Sequence, residues 1–217
     1  MNLTQNKSVQ WVLGILLITA GTYVSWLLTP GDYVQVIAAM SGLLCVWLVA
    51  RESIWNYPIG LVNIIALIIT FYGVQLYADF TLNIVFFVLN VYGWYFWLKN
   101  RGNLKVRKTR NMTKKEWIVS LLVIIIGTPI WGYIFDNYFG AAIAYADSFV
   151  MVASLIAQWF LSKKVIQHWY FWILVDLVAI PIYFIKDLPL IAILYVVYLG
   201  ICVNGFISWK KEMKAKA

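Results

Sequence analysis

KNRGNLKVRKTRNMTKKE, residues 99–116, is the longest polar stretch of the chain and holds eight of its seventeen Lys and Arg residues. Strongly apolar sequence flanks it on both sides, VLNVYGWYFWL before and WIVSLLVIIIG after. A basic run between two apolar segments marks a cytoplasmic loop, because the Lys and Arg bias sets how helices insert. The other cations fit that reading. Eight apolar stretches can be counted, at about 11–28, 33–50, 58–77, 81–98, 117–135, 142–161, 169–185 and 189–209. Let the connections alternate inside and outside, with the N-terminus inside. Lys7, Arg51, Lys163, Lys164, Lys210, Lys211, Lys214 and Lys216 then join the loop on the inside, and only Lys186 lies outside. A different helix count scrambles that pattern. The chain reads as an all-α integral membrane protein with eight transmembrane helices and both ends in the cytoplasm.

Composition agrees. Apolar residues make up 63% and charged residues 12% of the chain, against roughly 45–50% and about 25% in soluble domains. The +8 net charge is concentrated in the inner loop and tail, which face anionic lipid heads; it is not a nucleic-acid footprint. Each stretch is near the ~20 residues that a bilayer requires. Trp11, Tyr33, Trp55, Tyr77, Trp97, Trp117, Tyr138, Trp169 and Trp209 lie near the ends and form an interfacial belt. Pro58 and Pro189 sit at helix starts, and Pro129 and Pro181 inside spans, where they are expected to kink the helix. The first stretch has no small-residue cleavage pattern, so it is expected to be a retained helix rather than a signal peptide.

The two halves repeat. At an offset of 112, Trp47 meets Trp159, Gly93 meets Gly205 and Trp97 meets Trp209. Between these anchors the match slips, pairing Trp55 with Trp169 and Asn63 with Asp176. The expected organisation is an additional N-terminal helix (1–30), a three-helix repeat (31–98), a basic cytoplasmic loop with a connecting helix (99–136), a second repeat (137–209) and a basic tail (210–217). Two parallel three-helix repeats joined by one helix (3+1+3) form a transporter architecture, with substrate held at the repeat interface.

Polar side chains inside the spans carry the chemistry, because hydrocarbon makes each one costly. Asp176 lies in the middle of its span with no Lys or Arg at matching depth in the sequence. Asn63, Asn90, Gln158 and Asn204 lie well inside the triplets. Trp172, Asp176 and Tyr183 share one helix face, and Asn90 shares a face with Trp94. Aromatic rings beside carboxamides and a carboxylate suit a flat, polar small molecule. The competing role for each Asn or Gln is fastening a neighbouring helix, worth ~0.6 kcal/mol on average. Trp172 can equally be core packing. No phosphate-binding loop, HExxH, GxSxG or CxxC motif is present, so no ATP hydrolysis, enzyme activity, cofactor or metal is expected. His168 is expected to be an interfacial polar residue.

Arg51–Asn63 (RESIWNYPIGLVN), Leu76–Asp79 (LYAD), Asn90–Trp97 (NVYGWYFW), Ala146–Met151 (ADSFVM), Ala157-Gln158, and Trp172 with Asp176 resemble the PnuC-type vitamin transporters, in the same order over about 40–209. That family is similar in architecture to the SWEET transporters. The resemblance implies facilitated diffusion of nicotinamide riboside across a bacterial inner membrane, with trapping by a separate cytosolic kinase. Thiamine and riboflavin are alternative substrates, and a proton-coupled carrier using Asp176 is an alternative mechanism. Asn83 and Asn204 depart from the family's usual residues. A homo-oligomer and a monomer read alike.

Overall fold

The computed structural model describes residues 14–15, 19–23, 26–27, 31–73, 77–99, 101–140, 143–187 and 189–215. Seven helices follow in order: α1 (Tyr33–Ala50), α2 (Asn56–Gly73), α3 (Tyr77–Leu98), α4 (Lys114–Phe139), α5 (Ala144–Ser162), α6 (His168–Ile185) and α7 (Pro189–Ala215). Each contains a segment long and apolar enough to cross a membrane. The expected first span, 11–28, lies for the most part outside the described residues; those described in it, 14–15, 19–23 and 26–27, are helical. α4 and α6 run on through Pro129 and Pro181. Among the described residues there is no strand, only one isolated bridge between Arg110 and Val165.

The helix ends follow from local chemistry. Asp32 caps α1 by accepting from the Gln35 backbone N–H at 3.0 Å, a bond that holds its carboxyl below the usual carboxylate range. A capping box opens α4: Thr113 Oγ1 accepts from the Glu116 N–H, and the Glu116 carboxylate accepts from the Thr113 N–H at 2.8 Å. Gly140 closes α4 in the left-handed region, at φ 60. α1 and α5 close differently. Ser53 N donates to Leu48 O and Glu52 N to Val49 O, just as Val165 N donates to Phe160 O and Lys164 N to Leu161 O. These are paired Schellman bonds, whose left-handed residue is usually Gly. Here that residue is Glu52 at φ 51 and Lys164 at φ 55.

The two repeats match in detail at the single offset of 112. Arg51 lies over the Trp47 ring at 4.6 Å, and Lys163 over Trp159 at 4.0 Å. Asn56 Nδ2 donates to Ser53 O at 2.6 Å, and His168 Nδ1 to Val165 O at 2.7 Å. Tyr57 and Trp169 follow as fully buried rings. The slips read from the sequence are therefore corrected: Trp169 corresponds to Tyr57, not Trp55, and Asp176 to Ile64, not Asn63. His168, at the start of α6, is buried at 0% exposure rather than facing solvent. Its place demands a polar side chain that reaches back to the i−3 carbonyl, and Asn56 does the same in the first repeat.

The described chain divides into two compact units, residues 1–91 and 92–217, so the last part of α3 belongs to the second. In the first unit α1 packs on α2, and in the second α4 packs on α5, α5 on α6 and α6 on α7. At the loop end of the second unit lies a knot of fully buried side chains. Trp97 Nε1 donates to Leu161 O at 3.0 Å. Its ring meets Trp209 at 5.6 Å, edge on, and Trp209 meets both Trp169 and His168. Lys164, at 0% exposure, holds its Nζ 4.2 Å from the Trp97 ring centre and 5.0 Å from that of Trp209. A desolvated cation over aromatic faces is worth ~2 kcal/mol or more. That contact explains why a lysine occupies a left-handed position where glycine would be unstrained.

The basic loop is built onto this knot. Arg107 N donates to Trp97 O, Arg110 N to Lys164 O, and Ile166 N to Arg110 O. Gln167 accepts from Met112 N at 2.8 Å and donates to Asn111 Oδ1 at 2.9 Å. Val106 and Met112 are buried. Arg110 binds both carboxylate oxygens of Glu116, at 2.8 and 2.6 Å, and the partnership raises the guanidinium pKa further. The loop thus carries its cations, most of them exposed, on a folded backbone. At the other end of the second unit Lys186 binds both oxygens of Asp147 at 2.8 Å.

Close approach of α7 to α6 depends on Gly205. A Cβ built there lies 2.5 Å from the Trp169 ring, and Trp169 is 1% exposed and cannot retreat. Gly205→Ala is expected to destabilise the protein by about 1–3 kcal/mol through overpacking, read as a lower thermal midpoint in detergent. An unchanged midpoint contradicts the rigidity assigned to that contact.

Candidate functional site

The eight residues singled out in the sequence fall in both units, and each unit is described by itself. Asn63 and Asn90 belong to the first, and Trp94, Gln158, Trp172, Asp176, Tyr183 and Asn204 to the second.

In the first unit, Asn63 is half-buried and its Nδ2 donates to Ala38 O at 2.6 Å. That bond fastens α2 to α1, the role an interhelical carboxamide commonly takes. Asn90 is different. It is 4% exposed, and its Oδ1 is buried without a hydrogen-bond partner among the described residues. Gly60 makes room for its amide: a Cβ at Gly60 would lie 2.7 Å from Asn90 Nδ2 and 3.1 Å from Cys45 Sγ. The absent side chain on α2 is what lets a polar group from α3 settle there. Asn83, also buried, donates to Asp79 O at 2.9 Å, a bond within its own helix.

The second unit holds the one carboxylate that sits mid-span. Asp176 is 3% exposed on α6. The Cys202 thiol of α7 lies beside it, and Oδ2 is buried with no hydrogen-bond partner among the described residues. Tyr183, two turns along α6, stacks on Tyr195 of α7 at 5.1 Å. Tyr195 in turn lies near Asp176 and meets Tyr198 edge on at 5.9 Å. The structure therefore gathers Asp176, Tyr183, Tyr195, Tyr198 and Cys202 along the α6–α7 contact. Tyr195, Tyr198 and Cys202 were missed in the sequence. Their spacing, i, i+3 and i+7, is one helical face, and that stripe was the available signal.

Four of the eight remain to be placed. Gln158 is buried on α5. Trp172 is half-buried and packs on the core cluster of Met112, Val152, Ile156 and Phe171, so the packing role claims at least part of its ring. Trp94 is half-buried near the end of α3, and Asn204 is exposed on α7, within 3.5 Å of the Ser208 hydroxyl. Among the described residues no three His, Cys, Asp or Glu side chains gather as metal ligands.

A buried acceptor without a protein donor is rare in native structures and calls for an explanation. Asn90 Oδ1 and Asp176 Oδ2 are two such acceptors, one in each unit, with tyrosine rings beside the second. They offer acceptor chemistry and a flat stacking surface, and no Lys or Arg lies inside the spans around them.

Comparison with known proteins gives three further findings. A family model described as nicotinamide mononucleotide transporter matches residues 32–211. The chain is 27% identical to the nicotinamide riboside transporter PnuC of Escherichia coli (strain K12), covering 93% of this chain and 92% of that one. It is 28% identical to the nicotinamide riboside transporter PnuC of Neisseria mucosa (94% and 81% covered) and 27% identical to the riboflavin/roseoflavin transporter RibM of Streptomyces davaonensis (77% and 80%). A crystal structure of the vitamin B3 transporter PnuC superposes with a TM-score of 0.76 at 25% identity, over 96% of this chain and 93% of that one.

Proposed function

Because this chain belongs to the family described as nicotinamide mononucleotide transporters, to which the PnuC proteins are similar throughout, we propose that it takes up nicotinamide riboside by facilitated diffusion. The family and the structural neighbour are membrane transporters, not enzymes. In this reading the protein lies in a bacterial inner membrane with both termini in the cytoplasm. Alternating access exposes the site to each side in turn, and a separate cytosolic kinase traps the product.

The observation that carries the reading is the buried Asp176 with an unpartnered oxygen and no cation at its depth. Nicotinamide riboside has a cationic pyridinium ring, a carboxamide and ribose hydroxyls. Asp176 favours the cation or accepts from a hydroxyl, Asn90 Oδ1 accepts from an amide or hydroxyl, and the Tyr183–Tyr195 stack offers a face to a flat ring. Asn63, Trp94, Gln158, Trp172 and Asn204 remain proposed lining residues. A phosphate is best bound by Lys or Arg, and none lies within the spans read from the sequence, so nicotinamide mononucleotide is expected to bind more weakly than the riboside. Riboflavin is the second reading, favoured by the RibM relative.

Proteoliposomes test this. Labelled nicotinamide riboside is expected to equilibrate across the membrane without rising above the outside concentration, and nicotinamide mononucleotide should compete more weakly than the unlabelled riboside. Accumulation driven by an imposed pH gradient would establish proton coupling instead. Equal competition by the mononucleotide would overturn the phosphate argument.

A further inference from the structure

α4 and α5 part at the end that carries the basic loop and leave a groove of about 480 Å³, lined wholly from the second unit. Val119 and Val123 of α4 and Leu155 of α5 form its sides, with the buried Ile156 and Phe160 beneath. On α4 the lining runs Glu116, Val119, Ser120, Val123, an i, i+3, i+4, i+7 stripe about 10 Å long at 1.5 Å per residue. The groove is thus a mainly apolar slot running along α4.

Its mouth is charged. Lys115 lines it, and Lys163 holds its Nζ 4.0 Å from the ring centre of Trp159, another lining residue, which is 40% exposed. The one acidic lining residue, Glu116, is already bound by Arg110 through both oxygens and by the Thr113 N–H. Its negative charge is therefore answered within the protein, and the two lysines are left to face an outside anion. A slot this size lined by carbon loses dispersion contacts if it stays empty. The bilayer supplies an occupant in which an apolar chain is joined to an anionic head, and the charge sits at the correct end.

We propose that this groove is a binding site for one anionic phospholipid, with an acyl chain along Val119, Val123 and Leu155 and the phosphate against Lys115 and Lys163. The site lies on the α4–α5 surface and is separate from the Asp176 group. It gives a specific role to two cations that topology alone would treat as interchangeable with the rest of the loop.

Native mass spectrometry of the full chain tests it, with phosphatidylglycerol and phosphatidylcholine of identical acyl chains. The wild type is expected to retain phosphatidylglycerol over phosphatidylcholine by on the order of tenfold or more, since each lysine acts on the anionic head. The double variant Lys115→Ala, Lys163→Ala should lose that preference. Leu155→Trp, which fills the slot, should lose retention of both lipids; Val119→Phe fills it from the other wall and serves if the first variant does not fold. Equal retention of the two lipids by the wild type overturns the proposal, as does full retention by a folded slot-filling variant. Dimers that form on delipidation and separate in Leu155→Trp would overturn it too, by assigning the groove to a second copy of the chain.

Discussion

Asp176→Asn is expected to weaken binding of nicotinamide riboside by about 10- to 100-fold, the range for losing a hydrogen bond to a charged group. The change keeps shape and volume while removing the capacity for negative charge. Asp176 is 3% exposed, and its Oδ2 is buried without a hydrogen-bond partner among the described residues. A ligand that supplies the missing donor or cation loses that interaction in the variant. The Cys202 contact can persist with the amide oxygen, so the α6–α7 packing should hold. Calorimetry on detergent-purified protein gives the affinity, and a thermal scan of the same sample gives the stability. If Asp176 only fastens α6 to α7, the variant melts lower and binds the riboside as the wild type does. A companion substitution sharpens the test: Tyr183→Leu removes the stacking partner of Tyr195 while leaving the carboxylate in place, and should weaken binding less.

Trp97→Ala is expected to cost about 3–5 kcal/mol of stability, the usual range for truncating a fully buried Trp. Three contacts go with the ring: the bond to Leu161 O, the edge contact with Trp209 and the cation contact with Lys164. Lys164 then keeps one aromatic face of the two while remaining at a strained backbone position. The thermal midpoint should fall by about 6–20 °C for a chain of this size. Trp97→Phe restores the ring without the N–H and should recover part of the loss. Trp94→Ala, three residues earlier and half-buried, should be milder for stability. A Trp97→Ala midpoint within about 2 °C of wild type would mean that the knot at the loop end is not a stability centre.

The fold was legible because its strongest signals are additive along the chain. Apolar length and the side on which Lys and Arg fall are summed over many residues, and no single exception spoils them. Seven described helices follow the expected spans, each apolar enough to cross a bilayer. Register within the repeat was harder to read, because likeness of residue type is a poor guide to likeness of role. Asn56 and His168 share no chemistry except a polar nitrogen that reaches the i−3 carbonyl. Glu52 and Lys164 carry opposite charges yet occupy the same left-handed helix end. Matching Trp to Trp therefore slipped the alignment where backbone geometry was the shared feature.

Charge counting misjudged Lys164 for a related reason. Composition treats every loop cation as solvated, and only a fold that brings Trp97 and Trp209 together can bury one. Candidate site residues were legible in part. Burial and a missing partner could be anticipated for Asp176 and Asn90 from their depth. The amide of Asn63 turned out to be taken by Ala38 O, a main-chain acceptor whose availability depends on how α1 and α2 pack. Tyr195, Tyr198 and Cys202 were hidden by an aromatic-rich chain, in which one stripe of rings looks like another until a neighbouring helix selects it.

The most direct test is titration of the purified protein with nicotinamide riboside, thiamine and riboflavin in parallel, read by calorimetry. Saturable binding of the riboside, with neither of the others binding comparably, is the predicted result. Tighter binding of riboflavin or thiamine would contradict the substrate assignment while leaving the transporter fold intact, and no binding of any of the three would contradict the vitamin-carrier account itself.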